Sequence, residues 1–427
     1  MQINEVTTIS ILGRQPALGI AELESLYGPN NVEVFGKQSC LITIAHDEID
    51  FNRLGGSVRL AKILSELPND WNSIEKYLIE KCPEFAKYAK DKLSFGISVY
   101  GVNVSPKKLA NTALQVKKAI KSTGHSVRMV PHKALELGSA TVIHNKLTNG
   151  NNWELLIVSN GEKTFLAQTT NIQDIEAYTA RDQARPFRDA KVGMLPPKLA
   201  QIIINLSVGN IGQKFNVNGP NLDQTAQLSG IDVASSVLVL DPFCGTGVVL
   251  QEAMLMDYDI YGTDLEPRMV QYSIDNLNWL DSLYPDLGDY RRIEVGDAKS
   301  HKWDWSKVEP PAGGRKSMVV VACETYLGKP LSSLPPSDQL SKIMQEVNTL
   351  HHKFLENIGK QINPGTRLCL AIPTWRGKHE FLHLKVLDFL SDLGYNRVKF
   401  EHVRNEDLIY HREGQVVGRE LLVLTRS

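Results

Sequence analysis

Long apolar runs are missing from this sequence. Among its 427 residues, no stretch approaches the ~18 apolar residues that a membrane-spanning helix needs. The start of the chain includes Glu5 and has neither a basic region nor an apolar core, so we expect no signal peptide. These absences predict a cytoplasmic protein that makes no contact with a membrane.

Cysteine is scarce as well, and its five copies stand apart at positions 40, 82, 244, 323 and 369. No two of them have the C-x-x-C spacing, which argues against a zinc site and against a disulfide framework. We therefore expect no bound metal and a reducing compartment. With 42% hydrophobic residues the chain is globular rather than disordered, and its length predicts about three domains.

A dominant charge is the third absence, because the formal net charge is only −1. This balance hides a segregation of charge along the chain. Residues 101–150 carry eight basic side chains against Glu136 and sum to +7, whereas residues 1–50 sum to −5 and residues 241–300 to −8. Since local fields decide which ligands bind, the basic stretch is a candidate contact for nucleic acid.

The order of predicted elements divides the chain into four segments. Residues 1–55 have a strand–helix–strand pattern, and residues 56–170 add strands, a helix and a hairpin, so both predict small α+β units. Residues 171–200 form a connector rich in arginine and proline. From residue 201 to 427 buried strands alternate with helices, which predicts a doubly wound α/β domain.

Local signals fix several of these elements. Ser105 followed by Pro106 predicts the start of a helix, because serine caps helices well and proline is tolerated in the first turn. Asn160 with Gly161 predicts a hairpin turn between two strands. A late strand is predicted at residues 397–403.

The predicted helix at residues 338–359 carries two adjacent histidines, His351 and His352. No third ligand at metal spacing accompanies them, so both are expected on the surface of the helix. Trp303, Trp305 and Trp375 are expected in the core, because tryptophans are buried more often than they stack on bases.

The strongest motif is Asp-Pro-Phe-Cys-Gly-Thr-Gly at residues 241–247, between a predicted strand and a predicted helix. Its glycines let the backbone turn tightly and approach a ligand, and it follows a strand of the doubly wound sheet, where such sheets bind ligands. No basic residue lies between Leu238 and Tyr261. The loop therefore suits an adenosine cofactor without phosphates better than a di- or triphosphate.

Two further carboxylates end predicted strands. Asp264 follows residues 260–263 and could accept hydrogen bonds from both ribose hydroxyls, as the acid of dinucleotide-binding folds does. Asp297 ends another predicted strand and could accept the amino group of adenine. Each acid taken alone could equally be a helix cap.

Together these three features resemble the class I S-adenosylmethionine-dependent methyltransferases, which have a Rossmann-like fold. The motif at residues 241–247 is similar to the first motif of the enzymes that methylate exocyclic amino groups of bases. The resemblance implies S-adenosyl-L-methionine as the cofactor, and Cys244 is expected as a packing residue. The implied cofactor contacts are Asp241, Pro242, Phe243, Cys244, Gly245, Gly247, Asp264, Leu265, Asp297 and Ala298.

Further segments, at residues 11–16, 21–24, 180–182, 185–186 and 194–200, resemble the THUMP-domain guanine-N2 tRNA methyltransferases of position 10. In that family a ferredoxin-like domain, a THUMP domain and the methyltransferase domain follow one another. The resemblance implies residues 1–55 as the ferredoxin-like domain, 56–170 as the THUMP domain, 171–200 as the linker and 201–427 as the methyltransferase domain. It also implies tRNA as the substrate, and we expect a monomer, with an activating subunit left open.

One departure from that family concerns the target base. Family members carry Asp/Asn-Pro-Pro-Tyr after the fourth strand, whereas residues 323–326 are Cys-Glu-Thr-Tyr and lack both prolines. Glu324 can still accept a hydrogen bond from an amino group and Tyr326 can still stack on a base, so both are candidate catalytic residues. Three alternatives stay open: a working variant, another acceptor, or an inactive site.

Basic side chains are the candidate RNA contacts, because lysines neutralise phosphates and helical RNA is recognised largely by shape and backbone. The alternative is a solvated helix face. Two other functions also stay open: a DNA adenine-N6 or cytosine-N4 methyltransferase, and an inactive RNA-binding protein. The candidate RNA contacts are Lys107, Lys108, Lys117, Lys118, Lys121, Arg128, Arg181 and Arg185.

Overall fold

The structure is a computed structural model that describes residues 7–89, 91–131, 133–189, 194–210, 236–285, 287, 291–305, 317–378 and 380–427. The first residues of the chain and residues 190–193 of the predicted linker lie outside this set. Its contacts divide the chain into two compact units. Unit 1 comprises Met1–Ile20, Pro29–Asn52 and Gly56–Tyr178, and unit 2 comprises Ala21–Gly28, Arg53–Gly55 and Thr179–Ser427.

Unit 1 contains a mixed sheet whose order is β2-β3-β1-β4-β8-β7-β5-β6. Neighbouring strands are antiparallel, except that β5 runs parallel to β6 and to β7. The pairing of β1 with β4 joins strands from the first two predicted segments into one sheet. The strands are β1 (Thr8–Leu12), β2 (Val32–Val34), β3 (Ser39–Ile42), β4 (Ser57–Leu67), β5 (Leu93–Tyr100), β6 (Val127–Met129), β7 (Trp153–Ser159) and β8 (Thr164–Ile172).

Helix α3 (Pro106–Ser122) begins as the sequence predicts. The side chain of Ser105 accepts a hydrogen bond from the backbone N–H of Lys108 at 3.2 Å, and the apolar face of the helix is buried. The predicted hairpin between β7 and β8 is also confirmed. The other helices up to residue 183 are α1 (Pro16–Tyr27), α2 (Trp71–Ala86), α4 (Ser139–His144) and α5 (Ile175–Gln183).

Unit 2 contains a second sheet with the order β11-β10-β9-β12-β13-β17-β15. Strands β9 to β13 run parallel to one another, and β17 is antiparallel to β13. The strands are β9 (Ser236–Asp241), β10 (Asp259–Asp264), β11 (Arg291–Val295), β12 (Ser317–Glu324), β13 (Arg367–Arg376), β14 (Phe381–Leu382), β15 (Tyr395–Arg397), β16 (Ile409–Tyr410) and β17 (Val417–Arg426).

The chain leaves β9 toward β10 on one side and later returns to β12 on the other, so the strand order reverses beside β9. This is the topological switch point at which doubly wound sheets bind ligands. The predicted doubly wound α/β fold is thereby confirmed. The helices of this part are α6 (Pro197–Val208), α7 (Val248–Leu255), α8 (Pro267–Leu283) and α9 (Ser337–Gly359).

The core of unit 2 forms between the sheet and helix α9. Val347 and Phe354 of α9 pack in one cluster with apolar side chains of β12, β13 and β17. Trp303 and Trp375 are buried in the same cluster and Trp305 packs partly buried against it, as predicted. Among the described residues, no helix has the length and hydrophobicity of a membrane span.

The strand predicted at residues 397–403 is wrong beyond Arg397, where β15 ends. The carboxylate of Glu24 accepts hydrogen bonds from the backbone N–H groups of Glu401 and His402, at 2.6 and 3.0 Å. A buried side chain thus takes the donors that a neighbouring strand would otherwise bind.

Candidate cofactor and target pocket

The loop that joins β9 to α7 depends on its glycines. Gly245 has φ of 51° and Gly247 has φ of 83°, in the left-handed region that L residues rarely adopt. A Cβ atom on Gly247 would lie 3.0 Å from Oγ of Ser273 and 3.3 Å from its Cα. Glycine at position 247 therefore lets the loop pack closely on α8.

A cavity of about 410 Å³ opens at the carboxyl ends of β9, β10, β11 and β12. Its size falls in the ~300–1,000 Å³ range of small-molecule sites. Every predicted cofactor residue lines it except Gly247, and the candidate catalytic residues Glu324 and Tyr326 line it too. The structure therefore brings both predicted groups together in one pocket. Lining residues that the sequence did not predict include Leu195, Met269, Thr325 and Leu350.

Asp264 is both a cap and a potential ligand contact. Its Oδ2 accepts a hydrogen bond from the backbone N–H of Gly245 and its Oδ1 from that of Glu266, both at 2.9 Å. A carboxylate can accept about four hydrogen bonds, so each oxygen keeps one acceptor position for a vicinal hydroxyl pair. The two interpretations of this acid are therefore compatible.

Asp241 is the most buried acid of the pocket. Its Oδ1 accepts from the backbone N–H of Phe243 at 3.0 Å. Burial raises the pKa of Asp241 well above its usual range, and the nearby carboxylates of Asp264 and Glu324 raise it further. A positively charged group beside Asp241 would lower its pKa again, because an opposite charge favours the ionised carboxylate.

Asp297 lines the same pocket and is half-buried. Lys299 donates to its carboxylate through the backbone N–H at 3.0 Å and pairs with it through Nζ at 3.3 Å. Its remaining acceptor positions are available to an amino group. Cys244 is buried, and burial raises the pKa of its thiol well above the usual range, which fits the expected packing role.

Glu324 ends β12 and is paired with a residue that the sequence did not reveal. Nε of Arg419, on β17, donates a hydrogen bond to Oε1 of Glu324. Burial raises the pKa of Glu324 and the guanidinium opposes that rise. Tyr326 follows two residues later and leaves 45% of its surface exposed, so the ring is accessible from solvent.

The expectation that His351 lies on the surface is wrong. It is 1% exposed, with Nδ1 at 2.7 Å from the carbonyl of Val347 and Nε2 at 2.7 Å from Oγ1 of Thr325. Burial lowers the pKa of His351 to about 4, so the ring is neutral at pH 7. Its neighbour His352 is half-exposed and lies 3.5 Å from Glu356.

Most of the candidate RNA contacts of unit 1 face solvent. Lys107, Lys118, Lys121 and Arg128 are exposed, and Lys117 is half-buried. Lys108 is different, because its Nζ forms an ion pair with Glu75 at 2.5 Å.

The structure contradicts a phosphate contact for the two arginines of α5 and the following turn. Nε of Arg181 pairs with the buried carboxylate of Glu252 at 2.9 Å, and its side chain is 11% exposed. Arg185 is 3% exposed, and burial lowers the pKa of its guanidinium. Both side chains belong to the packing of unit 2.

Fold and pocket together define a Rossmann-like α/β protein with a ligand site at its topological switch point. No protein-family model matches the chain. Among curated proteins, a tRNA (guanine(10)-N2)-dimethyltransferase of Methanothermobacter thermautotrophicus is 26% identical over 198 residues, which cover 45% of this chain and 42% of the relative. The chain therefore spans less than half the length of the curated relative it matches.

Two solved structures resemble the chain over nearly its whole length. TrmN from Thermus thermophilus is 15% identical, with a TM-score of 0.47 and coverage of 99% of this chain and 100% of TrmN. SMU.472, solved in complex with SAH, is 14% identical, with a TM-score of 0.47 and coverage of 97% of each chain.

Proposed function

We propose that this protein is an S-adenosylmethionine-dependent methyltransferase that modifies the exocyclic N2 amino group of a guanosine in tRNA. The observation that carries the proposal is the single pocket in which the acids Asp241, Asp264 and Asp297 meet Glu324 and Tyr326. The identity to a tRNA guanine-N2 dimethyltransferase supports the choice of nucleotide.

The residues present fit this cofactor. Asp264 offers acceptors to the ribose hydroxyls, Asp297 offers an acceptor to the adenine amino group, and the glycine loop lets the backbone approach the ligand. Burial and the neighbouring carboxylates raise the pKa of Asp241, and a bound cation would lower it again. When bound, S-adenosylmethionine supplies a methyl group on a positively charged sulfur.

Glu324 is the acceptor of the target amino group in this proposal. The amino nitrogen gains a methyl group and loses one proton, and a carboxylate with a raised pKa is a better acceptor for that proton. Tyr326 stacks on the guanine and holds its amino group toward the cofactor. Much of the rate then comes from positioning, because the reaction is an in-line displacement at carbon.

The exposed lysines of α3 and Arg128 of β6 bind the phosphates of the tRNA in this proposal. They contact the backbone without reading its sequence. Residues 56–170 correspond to the THUMP domain and residues 1–55 to the ferredoxin-like domain, and the chain acts as a monomer.

The test uses the purified full chain with methyl-labelled cofactor. We expect label in bulk tRNA and methylated guanosine at N2 in its nucleoside mass spectrum. The Glu324→Gln variant should lose at least about tenfold in kcat, whereas Glu356→Gln, an exposed acid of α9, should match the wild type. Label in DNA but not in RNA would overturn the proposal, and so would calorimetric cofactor binding without turnover on any tRNA.

A further inference from the structure

The segment that carries Glu324 and Tyr326 lacks regular structure on one side. β12 ends at Glu324 and α9 begins at Ser337, and residues 325–336 between them form no helix or strand. A chain of this length is mobile unless side chains tie it down, because each free residue gains conformational entropy. Its prolines, Pro330, Pro335 and Pro336, all come after Tyr326, so none of them restricts residues 323–326.

Thr325 ties down the start of this segment. It is 3% exposed, and its backbone N–H donates to the carbonyl of Ala371 at 3.0 Å, which extends the pairing of β12 with β13 by one residue. A proline at this position would lack that donor. Its hydroxyl lies 2.7 Å from Nε2 of His351.

The hydrogen-bond partners decide which atoms carry the protons. The carbonyl of Val347 can only accept, so the proton of the imidazole is on Nδ1, 2.7 Å away. The ring is neutral at pH 7, and Nε2 is therefore a lone-pair acceptor for the hydroxyl of Thr325. The same hydroxyl also lies 3.2 Å from the carbonyl of Ala371, a longer contact than the 2.7 Å to Nε2. Because Val347 and His351 both belong to α9, the helix fixes the ring and the ring fixes Thr325.

We propose that His351 is a positioning residue that holds Thr325, and through it the flanking Glu324 and Tyr326, in place for methyl transfer. The proposal rests on the function proposed above. The hydrogen bond between Thr325 and His351, which we call the tether, connects the end of β12 to α9. It restricts the backbone around Thr325, so that the acid before Thr325 and the ring after it keep their mutual distance. A shift of about 1 Å at such a site costs up to ~100-fold in rate.

Thr325→Val removes the hydroxyl at nearly constant shape, Thr325→Ser keeps it, and His351→Phe removes the acceptor. We expect Thr325→Val and His351→Phe to lower kcat on tRNA about tenfold, with the KM for the cofactor unchanged within about twofold. Thr325→Ser should restore most of kcat. The double variant should fall no further than Thr325→Val, because that change already removes the bond to His351.

A second measurement does not need activity. Hydrogen exchange followed by mass spectrometry should show faster exchange of residues 323–328 in Thr325→Val and His351→Phe than in the wild type and Thr325→Ser. Thr349→Val, the same change at an exposed site of α9, is the matched control and should leave both exchange and kcat unchanged. Wild-type kcat and exchange in Thr325→Val would overturn the tether, as would defects that multiply in the double variant.

The two proposals fail in different ways. A wild-type chain that methylates no tRNA contradicts the proposed function, and hydrogen exchange then still supports or overturns the tether. An active wild type with unaltered Thr325→Val contradicts the tether alone.

Discussion

Arg419 donates a hydrogen bond from Nε to Oε1 of Glu324 across the intervening strand β13. The two side chains are 9% and 13% exposed, so little water screens their pairing. Arg419 lies opposite Pro373 of β13, while Glu324 lies opposite Ala371. The register of β12 with β13 and that of β13 with β17 therefore place the guanidinium of Arg419 beside Glu324, where it opposes the rise in the pKa of this acid.

Replacing Arg419 should change the pH dependence of turnover. Burial raises the pKa of Glu324 and Arg419 opposes this, so Arg419→Met should raise that pKa further and protonate the acceptor at a higher pH. We expect the acidic limb of the kcat/KM profile to move to higher pH, and turnover at pH 7 to fall about tenfold. Arg419→Lys should keep most of the activity. The control is Arg412→Met, the same change at an exposed arginine, which should leave the pH profile unmoved. An unmoved acidic limb would remove Glu324 from the proton transfer.

Asp264→Asn should weaken cofactor binding by about 10- to 100-fold, because the charged acceptor of two hydroxyls becomes an amide. Isothermal titration calorimetry measures the loss, and the affinity for tRNA should stay the same. Asp275→Asn is the matched control, since Asp275 is a half-buried acid of α8 whose Oδ1 accepts a hydrogen bond from Gln271 at 2.9 Å. Equal affinities in both variants would contradict the ribose contact.

Gly247→Ala should lower both stability and cofactor affinity. The substitution forces φ of 83° on an L residue and places Cβ 3.0 Å from Ser273. Gly365→Ala separates the two causes, because Gly365 has φ of 84° with nothing within 4 Å of its Cβ position. We expect about 1–2 kcal/mol from the backbone alone at Gly365 and a larger loss at Gly247. Thermal unfolding and calorimetry measure both, and equal effects would show that the loop tolerates the contact.

The buried imidazole of His351 should make stability depend on pH. Its pKa is about 4 in the folded chain and about 6.5 when unfolded, so the unfolded state takes up a proton first as the pH falls. Stability from this group is complete above pH 6.5 and is lost toward pH 4, by about 3 kcal/mol.

Asp241 and Glu324 have raised pKa values and act with the opposite sign. The measurement is therefore the difference in unfolding midpoint between the wild type and His351→Phe, which should grow with pH between about 4 and 6.5. A difference that does not vary with pH would mean that the ring is protonated when folded.

The salt dependence of tRNA binding should distinguish the basic residues of unit 1 from the arginines of the connector. Lys107, Lys118 and Lys121 changed together to alanine should weaken tRNA binding, and the slope of log affinity against log salt should drop by about 2. Arg181→Ala should leave that slope unchanged and lower the unfolding free energy by about 3 kcal/mol, because Glu252 stays buried without its cation. If Arg181→Ala also reduced the slope of log affinity against log salt, Arg181 would be a phosphate contact after all.

The parts of the site that the sequence could predict are local. The loop at residues 241–247 and the acids Asp264 and Asp297 each follow an apolar strand directly, so the rule for the carboxyl ends of parallel strands places them at one edge. Helix α2 also has a local signal that the predictions missed: Asp70 accepts from the N–H of Ser73 at 2.9 Å, and Trp71, Ile74 and Leu78 form its buried face.

The pairs that could not be predicted join distant positions. Arg419 reaches Glu324 only through the register of β13 with β17, and His351 reaches Thr325 only because α9 turns that side inward. Arg181 meets Glu252 through the packing of unit 2. From charge and spacing alone such polar residues are predicted to face solvent, because their partners are far away in the sequence.

Strand β17 follows β15 in the chain, yet lies between β13 and β15 in the sheet. β15 thus has no partner in the described sheet until β17 has been synthesised and inserted, and contacts between positions so far apart in sequence form slowly. Since β17 brings Arg419, a nascent chain can complete the glycine loop and its acids while Glu324 still lacks a counter-charge. Ribosomal synthesis would thus finish the part of the pocket that holds Asp241, Asp264 and Asp297 before the part that holds Glu324.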